Sequence, residues 1–133
     1  MNRKCIKYPL DEFLNHYPEY RNSKVSLFID IENVSIITEI IQIRSKKFRM
    51  ILHYILSGKY KNDLYSHEKI SGKVKNITAM KFKEGKNERI YCKEIFKDGK
   101  KIVMITALMK KSQKISIKTK TLLENISGYE YEF

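Results

Sequence analysis

The chain has 133 residues, of which 42% are hydrophobic, so it is long enough for one domain with a substantial core. Its formal charge of +12 attracts phosphate polymers, although anionic membranes and acidic proteins would also suit so basic a chain. Two cysteines exclude a disulfide framework, and the sequence contains no apolar run of about 18 residues that would predict a membrane span. We therefore expect one soluble, cytoplasmic domain over residues 1–133 that does not enter a membrane.

The positive charge is concentrated in one part of the sequence. Residues 45–122 hold 21 basic and six acidic side chains, whereas residues 1–44 hold six of each. A basic excess confined to one region is the usual electrostatic footprint of a nucleic-acid-binding surface. The composition therefore favours a nucleic-acid partner for residues 45–122.

The first third of the chain predicts a short helix, a strand and two longer helical segments. Residues 1–24 contain both prolines around a helix that Asp11 can cap, and we interpret them as an added N-terminal segment. Lys24–Ile31 is rich in β-formers and predicts the first strand, after which Asn33 can cap a helix. From residue 34 to 57 apolar residues recur at helical spacing, with a possible break at Ser45, and residues 59–76 predict a loop.

The stretch 78–116 predicts three antiparallel strands and a basic loop. Asp98 and Gly99 predict a type I′ turn between the second and third strands, because both central residues of that turn need positive φ. The expected cross-strand pairs are Lys97 with Lys100, Cys92 with Ile105, Ile90 with Ala107, Met80 with Cys92, and Phe82 with Ile90. One face of this meander is therefore apolar.

Alternation places basic residues on the opposite face, where we expect Lys83 beside Arg89 and Lys81 beside Tyr91. The predicted fold is α+β, with N-terminal helices on one face of a small antiparallel sheet and this basic face open. A C-terminal helix capped by Ser116 follows, and residues 127–133 form an acidic, aromatic tail.

The residues Arg89, Lys81, Tyr91 and Lys83 suit metal-free RNA cleavage. That reaction needs a base for the 2′-hydroxyl, an acid for the leaving oxygen and cations around the phosphorane. Crowded lysines lower one another's pKa from about 10.4 and so become usable proton carriers. The alternative is a solvated basic sheet face, since lysines commonly alternate with apolar residues on half-exposed strands.

The run ERIYCKEIF, a turn, and KKIVMITALMKKSQKIS resembles the RelE/ParE superfamily of toxins, with KKSQK most similar to its HigB-like, phage-related branch. The resemblance covers roughly residues 45–125 and rests on the order helix, three-strand meander, basic loop, helix. It implies a RelE-like fold and the toxin of a type II toxin–antitoxin system that cleaves mRNA on the ribosome. It further implies a small helix-turn-helix antitoxin as partner, and neither cofactor nor metal.

By the same resemblance, Arg89 stabilises the phosphate. RNA-binding residues are expected at Lys93, Lys110, Lys111, Gln113 and Lys114. Several relatives place an arginine in the basic loop and a tyrosine beyond it, whereas this chain has lysines there and no tyrosine before Tyr129. That departure leaves the general acid open.

Three alternatives stay open. ParE-like members inhibit gyrase without nuclease residues, and a diverged member can be a basic nucleic-acid-binding or regulatory module. VSLFIDIENVSI also resembles the opening strand of NYN/PIN-like nucleases, in which Asp30 and Asn33 would help to bind a metal, although such sites need further acids. Among the histidines, only His67 is placed in the sequence to approach a site on the meander.

Overall fold

A computed structural model describes residues 2–68, 76–82, 88–109 and 117–133. The described strands are β1 (Asn2–Lys7), β2 (Val25–Asp30), β3 (Tyr65–His67), β4 (Ile77–Phe82), β5 (Glu88–Lys97), β6 (Lys100–Met109) and β7 (Glu130–Glu132). The described α-helices are α1 (Asp11–His16), α2 (Val34–Ile43), α3 (Ser45–Leu56) and α4 (Ile117–Ser127). Short 3-10 turns span Pro18–Asn22 and Ile31–Asn33.

All seven strands belong to one mixed sheet with the order β3-β4-β5-β6-β2-β1-β7. Neighbours from β3 to β6 are antiparallel, β2 lies parallel to β6, and β7 lies parallel to β1. The α+β class is therefore confirmed. The expectation of a small, antiparallel sheet was wrong, because both ends of the chain add strands beyond the meander.

The N-terminal segment contributes a strand that its sequence did not predict. β1 pairs with β2, and the predicted strand at Lys24–Ile31 is confirmed as β2, the second strand in the chain. The short helix is present as α1, but Asp11 is its first residue and Leu10 occupies the cap position without a side-chain hydrogen bond. Residues 2–24 are thus joined to the sheet by a strand.

The two predicted helical segments form α2 and α3, which meet at Arg44, next to the predicted break at Ser45. Gly58 follows α3 with φ +70°, the left-handed conformation expected of a glycine at a helix C-terminus. Asn33 occupies the N-cap position of α2 as predicted, but its side chain makes no capping hydrogen bond and instead donates to the Thr106 carbonyl at 2.8 Å. The predicted loop 59–76 contains the short strand β3.

The hairpin between β5 and β6 was predicted closely. Asp98 and Gly99 have φ of 54° and 75°, as a type I′ turn requires, and Lys97 pairs with Lys100. The expected pairing of Ile90 with Ala107 was wrong: a β-bulge gives β6 one extra residue, Thr106, so Ile90 pairs with Leu108. A bulge of this kind reverses the alternation of side chains in the residues that follow it.

Pairing between β4 and β5 differs from expectation by two residues. Met80 lies opposite Ile90, and the ladder begins with Phe82 opposite Glu88, which also pairs with Arg44 at 3.1 Å. Because the side-chain period of a strand is two, a shift of two residues keeps every side chain on its expected face. The prediction of the two faces survived although the register was wrong.

One face of the sheet is covered by α1, α2 and α3 and carries the larger core. We call it the helix-hairpin face, after the pair of helices α2 and α3. The fully buried members of this core include Leu27, Ile37, Ile51, Ile90 and Ile105. The other face, which we call the α4 face, carries a second core in which Leu123 and Ile126 pack on strand residues. The prediction that this face is open was therefore wrong where α4 lies on it.

The C-terminal tail is part of the sheet. Tyr131 in β7 lies opposite Arg3, and the Phe133 ring contacts the Phe28 ring edge to face at 5.2 Å between centroids. No helix in the described ranges is long and apolar enough to cross a bilayer.

Candidate nucleic-acid interface

Arg89 lies in the middle of three neighbouring strands on the α4 face. It is opposite Lys81 in β4 and opposite Met109, the last residue of β6. Its guanidinium forms an ion pair with Glu68 at 2.8 Å, and 35% of the side chain remains exposed. Arg89 and Lys81 thus share the face that alternation predicted, but the expected pairs were wrong, because Arg89 lies opposite Lys81 rather than Lys83 and Tyr91 lies opposite Ala79 rather than Lys81. Sequence reasoning also missed the carboxylate beside them.

Lys81 is held by the segment that precedes β4. Its ammonium donates to the Asn62 carbonyl at 2.6 Å and to the Ser66 hydroxyl at 2.8 Å. Ser66 belongs to β3, so this edge strand positions the lysine. A lysine anchored in this way adds positive charge beside Arg89 at a fixed place.

Tyr91 is a core residue rather than an exposed one. Only 3% of it is accessible, and it packs with Ala107 and with Leu123 of α4. Burial raises the pKa of Tyr91 to about 12, with Glu68 raising it further and Arg89 opposing that effect. A phenol so weakly acidic and so little exposed is poorly suited to donate a proton to RNA.

Lys93 has a structural set of contacts. Its ammonium donates to the Ser127 carbonyl at 2.8 Å and to the Tyr129 carbonyl at 2.6 Å, at the C-terminus of α4. Burial lowers its pKa, while Glu130 acts in the opposite direction. Cations are favourable at helix C-termini, so Lys93 fixes α4 on the sheet.

Five of the predicted site residues lie outside the described residues: Lys83, Lys110, Lys111, Gln113 and Lys114. The basic segment 110–116 begins directly after Met109, which is described and lies opposite Arg89 in the β5–β6 ladder.

A second polar cluster lies on the helix-hairpin face, near the turn at Asp98 and Gly99. Its centre is Glu94, whose side chain is 1% exposed. The carboxylate accepts hydrogen bonds from the hydroxyls of Tyr60 and Tyr65, each at 2.8 Å, and lies 3.3 Å from the Lys101 ammonium. His67 lies 3.7 Å from the same carboxylate.

Sequence reasoning did not find this cluster, although one signal was present. Glu94 continues the row Ile90, Cys92 on the apolar face of β5, and an acid in such a row requires partners. Burial raises the pKa of Tyr65 well above its ordinary value, so its hydroxyl stays a donor to the carboxylate. His67 lies on the opposite face of the sheet from Arg89, so the alternative in which it approaches that site is not realised.

Asp30, the candidate metal ligand, is engaged within the protein. Its buried carboxylate accepts from Arg3 at 2.7 Å, from the Tyr131 hydroxyl at 2.8 Å and from the Glu32 amide at 2.8 Å. In the part of the chain that the structure describes, no three His, Cys, Asp or Glu residues converge to hold a metal ion. The described residues therefore do not gather the acid cluster that the NYN/PIN-like alternative requires.

No protein-family model, curated protein or solved structure matches this chain.

Proposed function

We propose that this chain is the toxin of a type II toxin–antitoxin system, of the HigB-like branch of the RelE/ParE superfamily, and cleaves mRNA on the ribosome without a metal or other cofactor. The observation that carries the proposal is the position of Arg89. It lies beside Lys81 and beside Met109, after which the chain enters the basic segment 110–116. Cations from two strands thus lie together at the end of the meander, next to the residue after which the basic segment begins.

The order of elements supports the same proposal. A strand, β2, is followed by the helices α2 and α3, then by the meander β4-β5-β6, the basic segment and α4. Helices, a meander, a basic loop and a further helix are the order on which the resemblance rests. A chain that builds this order brings the ends of β4, β5 and β6 together.

The geometry suggests how the residues would act. Arg89 would stabilise the charge that develops on the phosphorane, because a positioned cation contributes most where charge appears in the transition state. Its ion pair with Glu68 is partly exposed, so a phosphate can take the place of the carboxylate at modest cost. Lys81 would add positive charge beside the phosphate, and Tyr91 and Lys93 would support the site through their contacts with α4.

The partners follow from the same surface. RNA is attracted by the basic excess of residues 45–122, and the ribosome presents RNA in abundance. A small helix-turn-helix antitoxin remains part of the proposal as the neutralising partner, and a cytoplasmic location follows from it.

One observation favours a second candidate, a non-catalytic nucleic-acid-binding module or ParE-like gyrase inhibitor. Arg89 has a carboxylate partner, and the only tyrosine among the predicted site residues is buried under α4. A binding module needs cations but neither a general acid nor a general base. The two candidates differ in whether Arg89 changes the rate of mRNA cleavage or only the affinity for nucleic acid.

The test is ribosome-dependent cleavage of mRNA by the wild type and by Arg89→Ala. We expect a rate about a hundredfold lower, which is the usual cost of removing one group that stabilises transition-state charge. Arg44→Ala is the matched control, because Arg44 also pairs with one carboxylate, Glu88, on the other face and has 26% side-chain exposure. Near-normal cleavage is expected of that control.

Thermal unfolding of both variants keeps the result interpretable. Loss of the partly exposed Arg89–Glu68 ion pair should lower the free energy of unfolding by up to about 1 kcal/mol, so Arg89→Ala should remain folded. Unchanged cleavage by a folded Arg89→Ala would overturn the catalytic proposal. Binding of mRNA by the wild type without any cleavage of it would favour the second candidate.

A further inference from the structure

Three exposed aromatic rings surround the buried Glu94 carboxylate on the helix-hairpin face. Phe96 is 66% exposed, Tyr60 is 43% exposed, and the His67 side chain is 37% exposed. Glu94 and Phe96 are two residues apart on one strand face, a separation of about 7 Å. Phe96 is the most exposed of the large hydrophobic side chains in the described residues, and rings left open in this way mark candidate binding surfaces.

The rings are held in place from below. Tyr60 stacks on the fully buried Tyr65 with centroids 5.7 Å apart and planes 9° apart, and it donates its hydroxyl to Glu94 at 2.8 Å. The His67 ring centroid lies 4.7 Å from that of Tyr60. Lys101, directly opposite Phe96 in the ladder, places its ammonium 5.0 Å from the Tyr60 ring centroid.

Lysines lie beside Tyr60. Lys59 and Lys61 flank it in the chain and the Lys101 ammonium lies near its ring, whereas alternation places Lys97 and Lys100 on the opposite face, where the Lys97 ammonium lies 5.1 Å from the centroid of the Phe133 ring. The acids Glu94 and Asp63 are matched by Lys101 and Lys61, and the whole chain carries a formal charge of +12. Aromatic rings among lysines match a ligand that has both flat apolar faces and negative charge, and single-stranded nucleic acid has both.

We infer that Tyr60, His67 and Phe96 form a base-stacking platform for single-stranded RNA, with Lys59 and Lys61 beside Tyr60 to attract its phosphates. This inference rests on the proposed RNA-directed function and adds a second contact to it. The platform lies on the opposite face of the sheet from Arg89, and about seven residues of β5, or roughly 23 Å, separate Phe96 from Arg89. The RNA on the platform is therefore a different segment from the one beside Arg89.

The absence of tryptophan from the sequence permits a direct test. Phe96→Trp keeps a large ring at the most exposed position and introduces the single tryptophan of the protein. We expect its fluorescence to be quenched on addition of a single-stranded RNA oligonucleotide, because stacking on a base places the ring in contact with it. Double-stranded RNA of the same sequence should quench it much less.

Phe96→Ala should weaken binding of the same oligonucleotide by about fivefold or more, which is the usual loss for one base–aromatic stack. Ile43→Ala is the control, because Ile43 is equally open, at 61% exposure, but lies on α2 away from the platform. That control should bind as the wild type does.

The outcomes separate the platform from the proposed function. If RNA binds and Arg89→Ala abolishes cleavage, while Phe96→Ala binds like Ile43→Ala and Phe96→Trp is not quenched, the platform alone is overturned. If Phe96→Ala weakens binding but no cleavage occurs, the platform stands and the nuclease proposal falls. Quenching by an added protein and not by RNA would identify the patch as a protein-docking surface and overturn the inference.

Discussion

Two carboxylates, Asp30 and Glu94, are buried at distant places in the sheet and are satisfied by the same chemistry. Asp30 binds the Arg3 guanidinium and the Tyr131 hydroxyl, and Glu94 binds the Lys101 ammonium and the Tyr65 hydroxyl. Each acid therefore has one cation and at least one tyrosine, as a buried charge requires.

What differs is where the partners come from. Arg3 lies in β1 and Tyr131 in β7, so the Asp30 cluster fastens both ends of the chain to the sheet. The Glu94 cluster instead holds Tyr60 and Lys101, which lie next to exposed rings. The same kind of buried polar cluster thus joins the terminal strands to the sheet at Asp30 and positions surface side chains at Glu94.

The largest effect on the free energy of unfolding is expected from a change in the Asp30 cluster. Arg3→Ala leaves the Asp30 carboxylate buried without its cation, and we expect the free energy of unfolding to fall by about 3 kcal/mol. The measurement is urea unfolding at pH 7. Lys4→Ala, an exposed cation on the same strand, should change it by less than about 0.5 kcal/mol. Equal effects of the two substitutions would contradict the role given to Asp30.

A smaller effect on the free energy of unfolding is expected from changes in the Glu94 cluster. Tyr65→Phe removes a buried hydroxyl that donates to Glu94 and accepts from Thr78, and should cost about 2 kcal/mol. Tyr60→Phe removes a half-exposed hydroxyl from the same carboxylate and should cost under about 1 kcal/mol, because water can replace it. Urea unfolding of the pair checks the difference, and a larger loss in Tyr60→Phe would refute this account of the cluster.

The two clusters share one further expected effect, which is that of alkaline pH on stability. Burial raises the pKa of Tyr65 and of Tyr131, so the folded state holds these protons more tightly than the unfolded chain does. Their contribution is complete below the ordinary pKa of about 10 and is lost as pH rises above it.

The free energy of unfolding should therefore fall above pH 10, by up to about 1.4 kcal/mol per pH unit for each such tyrosine. Tyr91 acts in the same direction, with its pKa raised to about 12, and the buried Cys92 thiol begins to contribute near pH 9. Tyr65→Phe and Tyr131→Phe should each reduce the slope above pH 10. A slope unchanged in both variants would place these hydroxyls outside the clusters.

The parts of the fold that the sequence predicted are those coded locally. The turn at Asp98 and Gly99, the paired helices and the two faces of the meander each follow from residues close together in the chain. The strands β3 and β7 were missed because they have only three residues each, and β1 and β7 were missed because they pair with segments that are distant in the chain. Strand pairing over long separations leaves little trace in local pattern.

The candidate site was predictable to the same degree. Alternation placed Lys81 and Arg89 on one face, and both are there. Their partners Ser66 and Glu68 lie in a polar segment without a period, so no pattern pointed to them. The burial of Tyr91 depends on where α4 docks, which the helix's own sequence does not specify.

The extra residue in β6 marks a place where that strand can lose one residue without changing the faces of its neighbours. Thr106 and Ala107 both turn towards the α4 face, and beyond them Leu108 returns to the larger core. Loss of the Thr106 codon would leave a regular strand in which Ala107 still lies opposite Tyr91 and Leu108 still lies opposite Ile90, so both residues would keep their present faces. A one-codon deletion at this place in the gene is therefore a milder change than the same deletion in a strand without a bulge, where the side chains beyond it would exchange faces.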